Sequence, residues 1–143
     1  MKYSIILPTY NEKENIAIVM WLIIDTMKKR DYEIIVVDDS NDSATDKVAA
    51  RIKEEYPNTE IKIEKRKKKL GLGSAYKHAA GIVTGDFVVI MDTDLSHNPR
   101  AILDLIAEQE RTNTDIVIGT RYAGDKSGVD GWPTGRKVIS MVA

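Results

Sequence analysis

Residues 87–94 read Phe-Val-Val-Ile-Met-Asp-Thr-Asp, a short apolar run that ends in two aspartates one residue apart. A β-branched run that is apolar throughout is typical of a parallel strand covered on both faces. Two carboxylates directly after such a strand lie at its carboxyl end, where open α/β sheets bind their ligands. This stretch therefore predicts a parallel sheet, and it predicts a ligand-binding site at the carboxyl end of this strand.

Other segments extend the same pattern along the chain. Tyr3–Leu7, Glu33–Val37 and Asp115–Ile118 are similar apolar runs, whereas Glu60–Glu64 alternates apolar and charged residues, which predicts an edge strand. Apolar residues at helical spacing lie in the intervening segments 16–27, 48–56, 72–83 and 102–106. Strands that alternate with helices predict an α/β fold, a Rossmann-like, doubly wound, mostly parallel sheet with helices on both faces.

Helix start signals support these assignments. Asn11 and Glu14 resemble a capping box before the first helix, and Asp42 or Ser43 is the expected cap of the second. Asn98 followed by Pro99 is typical of the first residues of the fourth helix.

The composition limits the possible functions. The chain has 143 residues, a formal net charge of -1 and no cysteine. Such a charge gives no general attraction to nucleic acid, and the absence of cysteine excludes disulfides and thiolate catalysis. No run reaches the roughly 18 apolar residues that span a bilayer. The apolar segment 16–24 is interpreted as a helix buried on most sides, with a docking surface for a membrane-anchored partner as the alternative.

Polar residues follow three of the predicted strands and are expected to meet at one crevice. Asp92 and Asp94 are hard oxygen ligands, which suit Mg²⁺ or Mn²⁺ holding a diphosphate. Asp39 is expected to accept a hydrogen bond from a base or a ribose, although an aspartate here can also cap a turn. The run Lys65–Lys69 is interpreted as a solvated loop, with contact to anionic headgroups as the alternative.

The segment Gly71-Leu72-Gly73 differs from the dinucleotide fingerprint, because Tyr76 occupies the third glycine position. It is interpreted as a tight loop near the ligand, and NAD is not expected.

Six motifs occur in an order that resembles the dolichyl-phosphate mannose synthases, which belong to the inverting GT-A glycosyltransferases of family 2. They are Pro8-Thr9-Tyr10-Asn11-Glu12, Asp38-Asp39, Lys69-Leu70-Gly71-Leu72-Gly73, Asp92-Thr93-Asp94-Leu95-Ser96-His97-Asn98-Pro99, Gly119-Thr120-Arg121-Tyr122 and Gly131-Trp132-Pro133-Thr134-Gly135-Arg136-Lys137. Two positions depart from the family pattern: Ser40 replaces a glycine, and Thr93 replaces an alanine. A glycine would allow a positive φ, so strain is expected at Ser40.

The resemblance implies a reaction and a set of roles. Mannose would move from GDP-mannose to dolichyl phosphate with inversion, at the cytosolic face of the endoplasmic reticulum, with a divalent cation as cofactor and a small membrane-anchoring subunit as a candidate partner. The metal would be held by Asp92, Asp94 and Ser96. Guanosine and neighbouring groups would be held by Pro8, Tyr10, Glu12, Val37, Asp39 and Thr93, and the phosphates by Arg121 and Arg136.

Residues 1–143 are expected to form a single nucleotide-sugar-binding domain that lacks its C-terminal part, because the last residues resemble an interrupted helix and the family continues further. Three alternatives stay open. In the first, the sugar donor would be UDP-glucose instead of GDP-mannose. In the second, the shortened chain would bind a sugar nucleotide without transferring the sugar. In the third, the protein would be a haloacid-dehalogenase-type phosphatase. In the last case Asp92 would be phosphorylated and Asp94 would be the acid.

Overall fold

The computed structural model describes residues 1–120. Strands and helices alternate along this part of the chain: β1 Lys2–Thr9, α1 Ile16–Met27, β2 Asp31–Asp38, α2 Ala44–Glu55, β3 Glu60–Lys65, α3 Leu72–Ala80, β4 Phe87–Ile90 and α4 Ala101–Thr112. The chain divides into two compact units, residues 1–104 and residues 105–143. The whole sheet belongs to the first unit.

The four strands form one parallel sheet in the order β3-β2-β1-β4. The chain moves outward from β1 to β3 and then crosses back to place β4 on the other side of β1. Since such crossovers are right-handed, this reversal puts α3 on the face opposite to α1 and α2. The predicted doubly wound α/β sheet is confirmed, and among the strands of residues 1–120 β3 has the predicted edge position.

Alternating side chains of the central strands fill two buried layers. Ile6, Ile35 and Val37 face α3 and pack with Ala75 and Ala79. The residues between them on β1 and β2 point to the other face and are also buried, namely Ile5, Leu7, Ile34 and Val36. Burial on both faces explains why the middle of each strand, residues 5–7 of β1 and 34–37 of β2, is apolar at every position.

The predicted strand at Asp115–Ile118 is wrong, because residues 113–120 contain no strand or helix. Ile116 and Ile118 are 76% and 81% exposed. Strand β4 also differs from the prediction: it lies at an edge of the sheet within the described residues, and Val88 and Ile90 are about half exposed. An apolar run does not reveal whether a neighbour is present to pair with it, so the sequence overestimated the burial here.

Helix α1 is buried on one side, through residues such as Ile16, Val19 and Met20, while Ile18 and Trp21 are about half exposed. The interpretation of a helix buried on most sides therefore holds for only one of its faces. Within residues 1–120, no helix is both long enough and apolar enough to cross a membrane.

The predicted capping box at Asn11 and Glu14 is wrong. Helix α1 begins later, after Asn15, and the Glu12 carbonyl accepts the amide hydrogens of Asn15 and Ile16. Asn11 has a φ of 60°, in the left-handed region that asparagine tolerates. Asn98 does act as a cap before α4, because its side-chain oxygen accepts a hydrogen bond from the Arg100 amide.

Candidate functional site

A cavity of about 230 Å³ opens at the carboxyl ends of the strands. It lies where the strand order reverses between β1 and β4, which is the usual ligand position in open α/β sheets. Residues that follow β1, β2 and β4 line it together with the loop that opens α3. They are Pro8, Thr9, Tyr10, Glu12, Val37, Asp39, Lys69, Gly71, Leu72, Ala75, Asp92, Thr93 and Asp94.

The two aspartates after β4 both line this cavity. The Ser96 backbone amide donates a hydrogen bond to the Asp94 carboxylate over 2.9 Å. Hydrogen bonds from the Ser96 hydroxyl and amide hold the pKa of Asp94 below its usual value, so this side chain is ionised at neutral pH. Asp92 is 44% exposed at its side chain, and its carboxylate lies 3.8 Å from His97 Nε2.

The turn that carries these aspartates has an unusual backbone. Leu95 has a φ of 63°, which costs a residue with a Cβ about 1–2 kcal/mol. The Asp92 amide donates to His97 Nδ1 over 3.2 Å, and the Thr93 hydroxyl donates to the Pro8 carbonyl over 3.1 Å. The turn is thus fixed at both ends, and the Thr93 bond ties it to the end of β1. Local strain of this kind concentrates at functional sites.

Asp38, at the end of β2, is fully buried and points into a network of donors. Its Oδ1 accepts hydrogen bonds from the Thr9 hydroxyl and from the Ser40 amide and hydroxyl, and its Oδ2 lies 2.7 Å from Lys65 Nζ. Burial raises the pKa of Asp38, but the hydrogen bonds from Lys65, Ser40 and Thr9 outweigh it and leave the pKa lowered. Asp38 is a buried anchor for the loops around the cavity.

Ser40 belongs to this network, and the strain expected there is wrong. The residues other than glycine with positive φ in the described chain are Asn11, Leu95 and Asn113. The Ser40 hydroxyl accepts a hydrogen bond from the Asn11 amide over 2.7 Å and donates to Asp38. A glycine would lack this bridge between the loops after β1 and β2.

Asp39 lines the cavity but is held from behind by Arg66. Arg66 Nε and Nη2 donate to Asp39 Oδ1 and Oδ2, each over 2.5 Å, and the Leu70 amide donates to Oδ2 over 3.1 Å. The two side chains are 8% and 7% exposed, so this is a buried, bidentate pair.

Asp92 and Asp94 are in a different electrostatic position. Among residues 1–120, neither forms an ion pair with a lysine or an arginine. On the β2 side, Asp39 lines the cavity and Asp38 lies buried behind it, and both are paired with a cation. On the β4 side, Asp92 and Asp94 line the cavity without a lysine or arginine partner in residues 1–120. Oxygen ligands of this kind fit Mg²⁺ or Mn²⁺, which keep water and substrate oxygens in their remaining positions. The described residues contain no group of three or more acidic, histidine or cysteine ligands.

The basic run at 65–69 is not simply a solvated loop. Lys65 and Arg66 point inward to Asp38 and Asp39, and Lys69 Nζ lies 4.0 Å from the centre of the Tyr10 ring at the cavity. All four lysines of the run are exposed, and Arg66 is buried. The interpretation of a solvated loop is therefore wrong for Arg66, and it misses the partners of Lys65 and Lys69.

The structure brings eight of the predicted site residues to the cavity wall: Pro8, Tyr10, Glu12, Val37, Asp39, Asp92, Thr93 and Asp94. Ser96 lies beside Asp94 without lining the cavity. Arg121 and Arg136 lie outside the described residues. The sequence analysis did not identify Arg66 or Lys69 as part of the site. The sequence alone carried no signal for them, because the pairing of Asp38 with Lys65, which places the acidic and basic pairs side by side, belongs to the β2–β3 register of the structure.

Comparison with known proteins agrees with this geometry. The model of the family described as glycosyl transferase family 2 matches residues 4–141. A dolichol-phosphate mannosyltransferase of Pyrococcus furiosus is 41% identical over all of this chain and 39% of its own length. A dolichol-phosphate mannosyltransferase of Saccharomyces cerevisiae is 31% identical over all of this chain and 53% of its own length.

A solved structure is also similar: a mannosyltransferase from Pyrobaculum calidifontis in complex with GDP-Man and Mn²⁺. It is 29% identical with a TM-score of 0.56, over 71% of this chain and 30% of that one. The chain spans about half or less of the length of the curated relatives that it matches. The GT-A type of α/β fold is borne out, and the chain belongs to glycosyl transferase family 2.

Proposed function

We propose that the chain is the donor-binding part of an enzyme that transfers mannose from GDP-mannose to dolichyl phosphate. The observation that carries the proposal is the pair of carboxylates, Asp92 and Asp94, which face the same cavity as Tyr10 and Asp39 without a lysine or arginine partner in residues 1–120. A divalent cation that also binds a diphosphate would supply the positive charge that this pair lacks, and the family relatives named as mannosyltransferases support the sugar.

Asp92 and Asp94 would hold Mg²⁺ or Mn²⁺, with Ser96 beside them. When bound, the cation offsets the negative charge that builds up on the departing diphosphate. Asp94 is ionised at neutral pH, and its bonds from Ser96 lower its pKa further, so no proton has to leave before a cation binds. The Thr93 hydroxyl, held on the Pro8 carbonyl, keeps this turn against the end of β1.

The nucleoside would lie between the ends of β1 and β2, against Pro8, Tyr10, Glu12, Val37 and Asp39. The Tyr10 ring is 37% exposed and offers a flat face, while Asp39 offers a fixed acceptor. Thr93 would lie next to the nucleotide.

The acceptor needs no general base on this proposal. A phosphate monoester has its second pKa at about 6, so it is mostly dianionic near neutral pH and can attack the anomeric carbon directly, with inversion. The difficulty is to bring two anions together, and this is the role proposed for Arg121 and Arg136, whose guanidinium groups suit phosphate.

On this proposal the product is dolichyl phosphate mannose for protein glycosylation and GPI-anchor synthesis. The proposed transfer of mannose would take place at the cytosolic face of the endoplasmic reticulum membrane, with a small membrane-anchoring subunit as a partner. Residues 1–143 would serve as one nucleotide-sugar-binding domain of a longer protein.

Calorimetric titration of the chain with GDP and UDP, with and without Mn²⁺, tests the donor site. We expect Asp94→Ala to lower the Mn²⁺-dependent affinity for GDP by on the order of a hundredfold, because one of two charged metal ligands is lost. The matched control is Asp104→Ala, an exposed aspartate on α4, which should bind as the parent does. Equal affinity of the Asp94 variant and the parent in Mn²⁺ would refute the metal site.

Transfer itself is measured with GDP-mannose and dolichyl phosphate, beside the full-length relative from Pyrococcus furiosus. Tight binding without transfer supports the alternative of a sugar-nucleotide-binding chain, and a preference for UDP supports a UDP-sugar donor. Membership of the glycosyltransferase family favours sugar transfer over the phosphatase alternative, which a trapped aspartyl-phosphate on Asp92 would restore.

A further inference from the structure

Arg66 lies behind the candidate nucleobase site and is fixed from several sides. Its Nη1 donates to the Ser74 hydroxyl over 2.8 Å, and its Nη2 also approaches the Gly71 carbonyl at 3.4 Å. The residue is 8% exposed and is absent from the cavity wall, which Asp39 and Gly71 do line. Arg66 therefore acts on a ligand through the lining groups that it holds, above all the Asp39 carboxylate.

The contacts of Asp39 limit what this carboxylate can still accept. An ionised carboxylate has about four acceptor positions, two on each oxygen. Arg66 and the Leu70 amide fill both positions on Oδ2, and Arg66 fills one on Oδ1. One position, on Oδ1, is left for a ligand in the cavity.

Nucleobases differ in the number of donors that they present to such a group. The Watson–Crick edge of guanine carries two adjacent donors, the N1–H and the N2 amino group, whereas uracil carries a single N3–H between two carbonyls. A carboxylate with one free position accepts one of these donors, whereas a carboxylate with a free position on each oxygen accepts both guanine donors at once.

We propose that Arg66 is the positioning residue that sets nucleobase selectivity in this site, by leaving Asp39 one acceptor for a nucleoside diphosphate. The proposal rests on the proposed function only in requiring that the cavity binds such a ligand. The Arg66 guanidinium donates to both Asp39 oxygens as a fork. Removing this fork frees one acceptor position on each oxygen of Asp39, which favours guanine over uracil. It also loosens the carboxylate, which weakens the binding of both bases.

The test is calorimetric titration of the chain with GDP and with UDP, both with Mn²⁺. In Arg66→Met we expect the affinity ratio of GDP to UDP to rise by on the order of tenfold over the parent, the effect of one additional hydrogen bond to a charged group. Arg66→Lys keeps the charge but loses the fork, so its ratio should lie between those of the parent and Arg66→Met. Arg51→Met, at an exposed arginine on α2, is the matched control and should keep the parent ratio.

A merely structural role lowers both affinities by the same factor and leaves the ratio unchanged, and this outcome overturns the proposal. If circular dichroism shows that Arg66→Met does not fold, the same titrations are made with Ser74→Ala instead. It removes one anchor of the fork and should shift the ratio in the same direction by a smaller factor. A parent chain that binds neither nucleotide refutes the proposed function itself, whereas a parent that binds both while no Arg66 variant changes the ratio refutes only this inference.

Discussion

Glu33 is a fully buried carboxylate near the start of β2, at the opposite end of the sheet from the cavity. It accepts hydrogen bonds from the Ser4 hydroxyl and the Thr84 amide, and its second oxygen lies 2.6 Å from Lys62 Nζ. Burial raises its pKa, but the hydrogen bonds from Lys62, Ser4 and Thr84 prevail and lower it from 4.5 to about 2.

The shift of this pKa makes the free energy of unfolding depend on pH. The folded pKa lies below the unfolded one, so the stabilisation is fully present above pH 4.5 and is lost as the pH falls towards 2. Since one pH unit corresponds to about 1.4 kcal/mol, Glu33 contributes about 3 kcal/mol at pH 7 and about 1 kcal/mol at pH 3.

Lys62→Met removes the strongest of the donors that lower this pKa and leaves the buried carboxylate without its cation. We expect the free energy of unfolding to fall by about 3 kcal/mol at pH 7, the lower end of the range for breaking a buried pair. The difference from the parent should shrink to about 1 kcal/mol at pH 3, where protonation relieves the unpaired charge. Urea unfolding at both values measures it, with the exposed Lys53→Met on α2 as control. A difference that does not change with pH would falsify the assignment of a buried charge pair.

Two further predictions use matched variants. Gly85→Ala should destabilise the fold by about 1–3 kcal/mol in thermal unfolding, because its Cβ would lie 2.7 Å from the Ser4 amide nitrogen on β1. Gly73→Ala, which meets nothing within 4 Å in α3, should leave stability unchanged or raise it by up to about 1 kcal/mol, and similar losses in both variants would contradict the close approach. Lys69→Met should weaken GDP binding about tenfold, because this cavity-lining cation is lost to the diphosphate. The exposed Lys68→Met should not weaken it, and equal effects of the two would show a general charge effect instead.

The sequence predicts the framework well where a pattern reflects local packing. The strands around Ile5, Ile34 and Phe87 and all four helices are found at or near their predicted positions. The edge strand β3 follows from its alternation, because one of its faces meets water. The prediction of a strand at Asp115–Ile118 is wrong because a β-strand needs a neighbouring strand to pair with, and the tertiary structure decides whether one is present.

The site is predicted less completely than the fold. Motif positions at strand ends place eight residues on one cavity, since parallel strands bring their carboxyl ends together. The roles of Arg66 and Lys69 are missed because a run of five cations has no internal sign of which side chains turn inward. The direction of Arg66 follows from the register of β3 against β2, and that of Lys69 from the loop after β3, and the sequence does not specify either on its own.

The same register explains why two similar aspartate pairs differ in role. Asp38 and Asp39 leave β2 beside β3, and β3 delivers Lys65 and Arg66 at the same level, so both charges are neutralised within the protein. Asp92 and Asp94 follow β4, which has no paired strand on its outer side within residues 1–120. Their charges therefore meet no lysine or arginine of the described chain, and on the proposed function a divalent cation would be their partner. Strand order thus separates a pair of carboxylates that supports the cavity from a pair that is available to a metal.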